Sequence, residues 1–385
     1  MKKKSASIVV VLLLALFGGG AVIASDVDLN NNADTTYNDP PIDDLGHDEA
    51  DIDDHDTVVI SDKELNIHFL ELGNKYTGDC VFIDYGDIEI LIDAGSRTNS
   101  SAAITNYISP FVQDGKIEYV IATHAHQDHI AGFYSTKTTT GVLDSFEIGT
   151  IIDYPLSDSN TATRTNYEAT RERLVAEEGT IHFTALQCYN NEDGAQRVYD
   201  LGGVTMEILY QPFYEKKAGT ENNYSVCLMI KQGDKQYLFT GDLEKAGEDA
   251  LVDYYQNERD GLGHCILYKG GHHGSSTSSN LKLLDAITPE YVIICTCAGT
   301  PEYSDTPSGQ FPTQQFIDRI AGYTDKVYIT TLMVDYKNNK FESMNGNVVF
   351  SVKDGEVAIA CSSNDLLLKD TDWFKENRVT PAAWA

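Results

Sequence analysis

The chain has 385 residues, 59 of them acidic and 28 basic, and a formal net charge of −31. A chain this acidic repels polyanions, which argues against a protein that binds long nucleic acids tightly. Its seven cysteines have neither zinc-finger nor disulfide-framework spacing, which argues against both of those classes of small domain.

The first 24 residues have the three parts of a secretory signal peptide. Lys2–Lys4 is basic, Ile8–Phe17 is apolar, and small residues lead to Ser25. An uncleaved membrane anchor is the alternative, but the apolar run is short for a span and is followed by Gly18–Gly20. The pattern predicts a cleaved signal peptide over 1–24 and a secreted or cell-surface protein with no transmembrane segment in the mature chain.

Residues 25–57 carry twelve Asp or Glu side chains and no Lys or Arg. This composition cannot bury enough apolar surface to fold, so it predicts a disordered acidic linker. The linker and the three N-terminal lysines account for −9 of the net charge of −31, which leaves −22 on residues 58–385. The folded body is therefore predicted to be strongly acidic itself.

From Val58 onward, short apolar or alternating runs predict strands. The first four strands are predicted over 65–72, 80–85, 88–93 and 118–122. Later strands are predicted over 180–184, 204–210, 236–239, 265–269, 291–295, 327–330 and 347–352, and helices over 165–178, 283–286 and 312–320.

Four potential metal ligands directly follow the fourth strand, within six residues: His124, His126, Asp128 and His129. In an extended chain, residues two apart point the same way, so His124 and His126 can hold one zinc-like ion. Asp128 and His129 follow where the chain turns, so they can face a second ion. Two adjacent metal ions can clamp both the attacking and the leaving oxygen of a displacement. A chance cluster of surface histidines is the alternative.

Two later strands also end in turns that carry chemistry. The strand at 236–239 runs into Thr240-Gly241-Asp242, and the strand at 265–269 runs into Gly270-Gly271-His272-His273-Gly274-Ser275. An Asp after Gly is common in ordinary turns, but a position after a buried strand and downstream of the histidine cluster favours a site residue. The hydroxyl groups of the second turn can donate hydrogen bonds to an anion: Ser275, Ser276 and Thr277.

In this order, the strand-end motifs resemble the metallo-β-lactamase superfamily. The features that carry the resemblance are Leu72-Gly73 with Gly78-Asp79, Leu91-Ile92-Asp93-Ala94-Gly95, the histidine cluster, Asn223 with Ser225, Thr240-Gly241-Asp242 and His272-His273-Gly274-Ser275. They are similar to the hydrolase domain of the DNA-uptake channel proteins of the ComEC type and to secreted choline-phosphate esterases. The resemblance implies the α/β class and a four-layer αββα sandwich for a hydrolase domain at 58–355. Residues 356–385 are expected to add a strand and a tail that packs on it.

The resemblance also implies roles for individual residues. The implied ligands of one or two divalent metal ions, zinc or manganese, are His124, His126, Asp128, His129, Asp242 and His272. Asp242 would bridge the metals, and Asp93 would hold a metal-binding histidine through a hydrogen bond. His272 is favoured over His273 because it comes first after the strand. The implied catalytic residues are Asp128, Asp242, His272 and His273, and the implied substrate-binding residues are Asn223, Ser275, Ser276 and Thr277.

One position departs from the family pattern. Many two-zinc members have a further histidine between the cluster and the bridging aspartate, after the strand that corresponds to 204–210. Here that position is Gln211-Pro212, and the one histidine in the interval is His182. The first metal site is therefore expected to bind metal weakly or to prefer manganese. Two alternatives remain for His182: it replaces the missing histidine as a metal ligand, or it is an ordinary strand residue. The vacated position is expected to be lined by Gln211, Asn222 or Asn223.

Residues and resemblance together predict an exported metal-dependent hydrolase that cleaves phosphoester bonds by attack of metal-bound hydroxide. The expected substrate is a small or surface-linked phosphoester, because the acidic body disfavours long nucleic acids without excluding them, and a monomer is expected. A metallohydrolase of another class, such as a lactonase or β-lactamase, is one alternative. A non-catalytic surface binding protein that keeps the fold is the other, and the intact histidine cluster counts against it.

Overall fold

The structure is a computed structural model and describes residues 64–385. The predicted signal peptide (1–24) and acidic linker (25–57) lie outside the described residues. In the part of the chain that the structure describes, every helix is too short or too polar to cross a bilayer.

Sixteen strands form two eight-stranded sheets within residues 64–385. The first six strands belong to the first sheet: β1 (Leu65–Phe69), β2 (Val81–Asp84), β3 (Glu89–Ile92), β4 (Lys116–Ala122), β5 (Glu147–Asp153) and β6 (Ile181–Thr184). The next eight form the second sheet: β7 (Val198–Asp200), β8 (Thr205–Leu209), β9 (Cys227–Gln232), β10 (Lys235–Phe239), β11 (Leu267–Lys269), β12 (Tyr291–Ala298), β13 (Val327–Asp335) and β14 (Lys340–Ser343). The chain then returns to the first sheet as β15 (Val348–Lys353) and β16 (Glu356–Cys361).

Eight α-helices accompany these strands in the described residues. They are α1 (Ser100–Ile108), α2 (Gln127–Ile130), α3 (Ala162–Glu177), α4 (Ala185–Asn190), α5 (Lys245–Glu258), α6 (Leu281–Ile287), α7 (Gln314–Ile320) and α8 (Asp372–Asn377). Short 3₁₀ turns join several elements, including Pro212–Tyr214, Glu221–Tyr224 and Leu368–Asp370.

Both sheets are mixed. The first has the strand order β16-β15-β1-β2-β3-β4-β5-β6, and the run from β3 to β6 is parallel. The second has the order β14-β13-β12-β11-β10-β9-β8-β7, and the run from β10 to β13 is parallel. Each sheet thus has a parallel half whose strands end in loops at its carboxyl edge, where sites form in α/β proteins.

Alternation along the strands of the second sheet builds two apolar layers. Tyr237 and Phe239 of β10 belong to the cluster shared with the first sheet, whereas Leu238 between them packs in the cluster formed with α5, α6 and α7. Ile293 and Ile294 of β12 divide in the same way. Because a strand presents successive side chains to opposite faces, the second sheet is apolar on both. The predicted α/β fold of two sheets flanked by helices is confirmed.

Several elements were not predicted from the sequence, among them β5, α1 and α5. The buried positions of α1 include Ser100 and Ser101, and those of α5 include Gly247 and Glu248, so neither buried face is a purely apolar stripe. Residues Glu221–Tyr224 form a 3₁₀ turn, and β9 begins at Cys227. All seven cysteines lie in the described part, and none is in a disulfide there.

Candidate metal centre

Loops from both sheets bring four buried side chains together. Asp79, His129, Asp242 and His273 each offer one ligand atom, and these atoms all lie within 4.8 Å of one another. Asp242 follows β10, His129 follows β4, and His273 follows β11, so the carboxyl ends of parallel strands supply three of the four. Such a group of carboxylate oxygens and imidazole nitrogens can hold a divalent metal ion.

His129 is oriented by a carboxylate on its far side. Asp93 Oδ2 lies 2.7 Å from His129 Nδ1, and Asp93 also accepts hydrogen bonds from the backbone N–H (2.8 Å) and hydroxyl (2.7 Å) of Thr123. Asp93 has a φ of 60°, a left-handed conformation that turns the chain directly after β3. His129 Nε2 is thereby directed at Asp242 Oδ2, 3.0 Å away.

The two histidines after β11 occupy different positions. Both have left-handed backbones, with φ of 47° for His272 and 54° for His273. His273 is fully buried, with Nδ1 hydrogen-bonded to the carbonyl oxygen of Cys295 at 3.0 Å and Nε2 directed at Asp128 Oδ2 (3.1 Å) and Asp242 Oδ2 (3.3 Å). His272 has Nδ1 3.0 Å from the Thr277 hydroxyl and Nε2 3.6 Å from Asp242 Oδ2.

The preference for His272 as the last ligand is not what the geometry favours. His273, not His272, is in the four-residue group, because the left-handed turn carries the second imidazole inward and leaves the side chain of the first 14% exposed. Order after a strand does not determine which of two adjacent side chains points inward once both residues leave the extended conformation.

The other residues of the predicted histidine cluster border this group. His124 Nε2 lies 3.0 Å from His126 Nδ1, and the ring centroids of His124 and His129 are 4.1 Å apart. Asp128 lies on the other side, with Oδ2 4.0 Å from His129 Nε2. The four residues of the predicted histidine cluster therefore lie around one volume, although His124, His126 and Asp128 are outside the tightest group.

Two charged residues at the centre were not assigned from the sequence. Asp79 lies in the loop before β2, where its N–H donates to the carbonyl oxygen of Asp128 at 3.0 Å. Lys269, the last residue of β11, is 2% exposed; its Nζ contacts Asp79 Oδ2 and lies 3.7 Å from Asp242 Oδ1. The glycine before Asp79 is a feature of the sequence that could have indicated its place. A Cβ at Gly78 would lie 2.7 Å from Asp128 O, so only glycine lets this loop pack against the histidine cluster. No feature of the sequence indicates that Lys269 belongs to the centre, because its position predicts only the end of an apolar strand.

Burial and mutual attraction set the protonation of the centre. Burial opposes the charge on His129, yet Asp242, Asp93 and Asp128 raise its pKa well above the ordinary value. Burial also opposes the charge on Asp242, yet His129, His273 and His272 hold its pKa well below the usual range. Burial lowers the pKa of His124, which leaves the neutral imidazole that binds metals. The carboxylates thus favour positive charge within the cluster.

Several buried ligand atoms at the centre fit a metal ion. Within residues 64–385, no hydrogen-bond partner with good geometry is found for Asp79 Oδ1, His129 Nε2 or either carboxylate oxygen of Asp242. Leaving such a buried polar atom unpaired costs about 1–3 kcal/mol, more when it is charged. A divalent cation would satisfy all four atoms, and nitrogen with carboxylate oxygen suits zinc or manganese.

Gln211 stands at the position where the resemblance leads us to expect a histidine, and its side chain is hydrogen-bonded to the backbone. Gln211 is fully buried, and its amide donates to the carbonyl oxygens of Asn223 (2.9 Å) and Ser225 (3.4 Å) and accepts from Phe213 N (2.8 Å). His182 lies in β6 with Nε2 2.8 Å from Asp153 Oδ1, which supports the strand role over replacement of the ligand.

The predicted substrate-binding residues are of two kinds. The amide of Asn223 is buried, accepts from Glu244 N at 3.1 Å and donates to the Thr220 hydroxyl at 3.2 Å, so it fastens the loop. Ser276 and Thr277 are exposed in the turn beside His272, and Ser275 is buried there. The hydroxyl groups of Ser275 and Thr277 lie 3.1 Å apart.

Comparison with known proteins agrees with this geometry. Residues 73–143 and 215–298, which contain the whole four-residue group, match the family model described as the metallo-β-lactamase superfamily. Competence protein ComA of Neisseria gonorrhoeae is 36% identical over 99 residues, covering 26% of this chain and 14% of that protein. Recombination protein 2 of Haemophilus influenzae is 24% identical over 255 residues, covering 66% of this chain and 26% of that protein.

Among solved structures, the metallo-β-lactamase fold protein YhfI from Bacillus subtilis matches 70% of this chain and 96% of its own, with 12% identity and a TM-score of 0.39. This chain spans only 14% and 26% of the two curated relatives above. The family match extends over loops of both sheets and takes in the histidine cluster, Asp242 and His273. Residues 73–143 and 215–298 of this chain are thus similar to the metallo-β-lactamase superfamily, and parts of the chain are similar to a competence protein and a recombination protein.

Proposed function

We propose that this protein is an exported metal-dependent hydrolase that cleaves phosphoester bonds in small or surface-linked substrates. The observation that carries the proposal is the buried group of Asp79, His129, Asp242 and His273, whose ligand atoms lie within 4.8 Å of one another. Among the described residues, Asp79 Oδ1, His129 Nε2 and both Asp242 carboxylate oxygens have no hydrogen bond of good geometry. A site built only to bind an organic ligand does not need charged groups at this density, because their burial is costly.

The residues that would hold one or two metal ions are His129, Asp242 and His273 with Asp79 from the tightest group, and His124, His126 and Asp128 at its border. The metal, zinc or manganese, would supply Lewis acidity and activate water for attack on phosphorus. Asp93 fixes the ring of His129, and the carbonyl oxygen of Cys295 fixes the ring of His273, so each presents Nε2 to the centre.

His272 is the residue placed to move a proton. Its Nε2 faces the centre, its Nδ1 is held by the Thr277 hydroxyl, and its side chain is 14% exposed, so a departing oxygen can reach it. We assign His272 to protonation of the leaving oxygen. The hydroxyl groups of Ser275 and Thr277 beside it would hydrogen-bond phosphoryl oxygens.

A nuclease is the second candidate, because the curated relatives are named a competence protein and a recombination protein. The charge of −22 on residues 58–385 weighs against it, since a long polyanion would approach an acidic body. A small diester places one phosphoryl group at the centre without bringing a run of charges to the surface.

The test uses the full chain freed of metal and reloaded with manganese or zinc. Its substrates are bis-p-nitrophenyl phosphate, p-nitrophenyl phosphorylcholine and single-stranded DNA. We expect turnover of a small diester, and a loss in Asp128→Ala greater than the roughly 10–100-fold that removal of an outer partner of a ligand costs. Asp87→Ala, in the exposed β2–β3 turn, is the control and should act like the wild type.

Absence of turnover on all three substrates, or equal rates for the wild type and Asp128→Ala, would refute the proposal. Cleavage of DNA without cleavage of either small diester would assign the protein to the nucleases instead.

A further inference from the structure

The loop between β12 and α7, residues 299–313, covers the outer side of the centre; we call it the covering loop. Its ends are joined by a hydrogen bond from Gly299 N to Phe311 O at 2.9 Å. Thr313 N donates to Gly274 O at 2.9 Å, which ties the loop to the turn that carries the two histidines. None of its residues was assigned a role from the sequence.

One side chain of the covering loop reaches a proposed metal ligand. The phenol of Tyr303 donates a hydrogen bond to Asp128 Oδ2 at 2.5 Å. Its ring stacks on Phe311 with centroids 5.0 Å apart and on His273 with centroids 6.4 Å apart. Phe311 in turn lies 5.8 Å from the ring of His272. Aromatic packing thus fixes where the hydroxyl of Tyr303 can point.

The covering loop is held in place from two directions. Glu302, next to Tyr303, pairs with Arg97 at 2.5 Å and accepts from Thr77 N at 2.9 Å. From the C-terminal tail, Arg378 donates to the carbonyl oxygens of Gln310 (2.6 Å) and Pro312 (2.8 Å). A loop anchored near its start and at its end presents Tyr303 at a fixed position, which a substrate-binding group requires.

We propose that Tyr303 is a substrate-binding residue, whose hydroxyl donates a hydrogen bond to a phosphoryl oxygen; this rests on the proposed function. Asp128 competes for that single proton in the structure. A carboxylate that shares its charge with a cation is a weaker acceptor, so the phenol would turn to a phosphoryl oxygen when the centre is loaded. A neutral donor suits this place, because the ammonium group of Lys269 at the centre is buried and paired with Asp79.

The experiment measures binding of inorganic phosphate to the full, metal-loaded chain by calorimetry. Tyr303→Phe keeps the ring stack and removes the hydroxyl, so metal content should stay at the wild-type value. The dissociation constant for phosphate should rise about tenfold or more, the effect of losing one hydrogen bond to a charged group. The kcat/KM for bis-p-nitrophenyl phosphate should fall by a similar factor.

Tyr85→Phe is the matched control. It removes a half-buried phenol on the β2–β3 turn that donates to Gly202 O at 3.2 Å, and phosphate affinity should remain within about twofold of the wild type.

Phosphate affinity unchanged in Tyr303→Phe would overturn the inference. So would a parallel loss of metal and of phosphate binding that excess metal restores, because Tyr303 would then act only through Asp128. A wild type that binds phosphate through Tyr303 but hydrolyses no phosphoester would uphold the inference and refute the proposed function.

Discussion

His68 shows how one buried residue responds to pH. It lies in β1, fully buried, with Nδ1 2.9 Å from the hydroxyl of Tyr107 and its ring packed on Phe82 and Phe111. Burial lowers the pKa of the imidazole to about 3, so the ring is neutral in the folded protein at neutral pH. Its position in a strand was predicted from the alternating run at 65–72.

We predict that His68 makes the folded state sensitive to mild acid. The unfolded chain takes up a proton at His68 near pH 6.5 and the folded chain only near 3, so stability falls as pH drops between these values. The slope from this residue is at most about 1.4 kcal/mol per pH unit. Urea unfolding of the metal-free protein between pH 6 and 4.5 should give a shallower slope for His68→Leu. Equal slopes in the two proteins would contradict the neutral, buried ring.

At the scale of elements, two helices fix the turn that carries the histidine pair. Glu248 of α5 accepts from Ser279 N (2.5 Å) and Asn280 N (2.8 Å), at the start of α6. Arg319 of α7 donates to the carbonyl oxygens of Ser276 and Ser278 in the same turn. Burial raises the pKa of Glu248 to about 7, against the pull of these donors.

We predict that Glu248→Gln loosens this turn. At pH 8, above its pKa, the carboxylate accepts with both oxygens, whereas the glutamine amide sets N–H groups against N–H groups. Unfolding free energy should fall by about 1–3 kcal/mol, and the amides of Ser279 and Asn280 should exchange hydrogen faster. Glu258→Gln, exposed at the end of the same helix, should change neither. Unaltered exchange in Glu248→Gln would show that Arg319 alone suffices.

For the whole molecule, charge sets which phosphoesters can approach. Residues 58–385 carry −22, and two divalent ions would offset only a small part of it. The attraction for a phosphoryl group is therefore local to the centre, while the rest of the surface repels anions over about one Debye length, roughly 10 Å at 0.1 M salt.

We predict opposite salt effects on large and small substrates. Raising NaCl from about 50 to 200 mM roughly halves the Debye length, so the KM for a short single-stranded oligonucleotide should fall severalfold. The KM for bis-p-nitrophenyl phosphate, with one charge, should change less than about twofold. Steady-state assays over this range test both. A KM for the oligonucleotide that rises with salt would reveal a basic surface and favour the nuclease.

The strand ends were predictable and the loops were not. The ends of β4, β10 and β11 could be predicted because an apolar run stops at polar residues there. His129 and Asp242 were singled out as candidate ligands because they follow two of these strand ends. Asp79 and Tyr303 lie in loops whose place at the centre depends on contacts with distant residues, such as the hydrogen bonds that hold Glu302. No local period of the sequence encodes such contacts.

Sequence order also did not determine which of the adjacent residues His272 and His273 belongs to the buried group. His273 is buried within the group, whereas His272 lies at its rim with Nε2 3.6 Å from Asp242 Oδ2. Both adopt left-handed conformations, which are uncommon for residues other than glycine. Gln211 could be placed after β8 but not oriented; its amide turns to the backbone of Asn223 and Ser225.

The pairing of β1 with β15 bears on the order in which the chain can fold. Leu65 pairs with Val352, so β1 lacks one neighbour until almost the whole described chain has emerged from a ribosome or a translocation pore. The first sheet therefore gains its last two strands, β15 and β16, only when synthesis of the described chain is almost complete. A product that stops before Val348 would leave the edge of β1 open, a template for pairing with other chains.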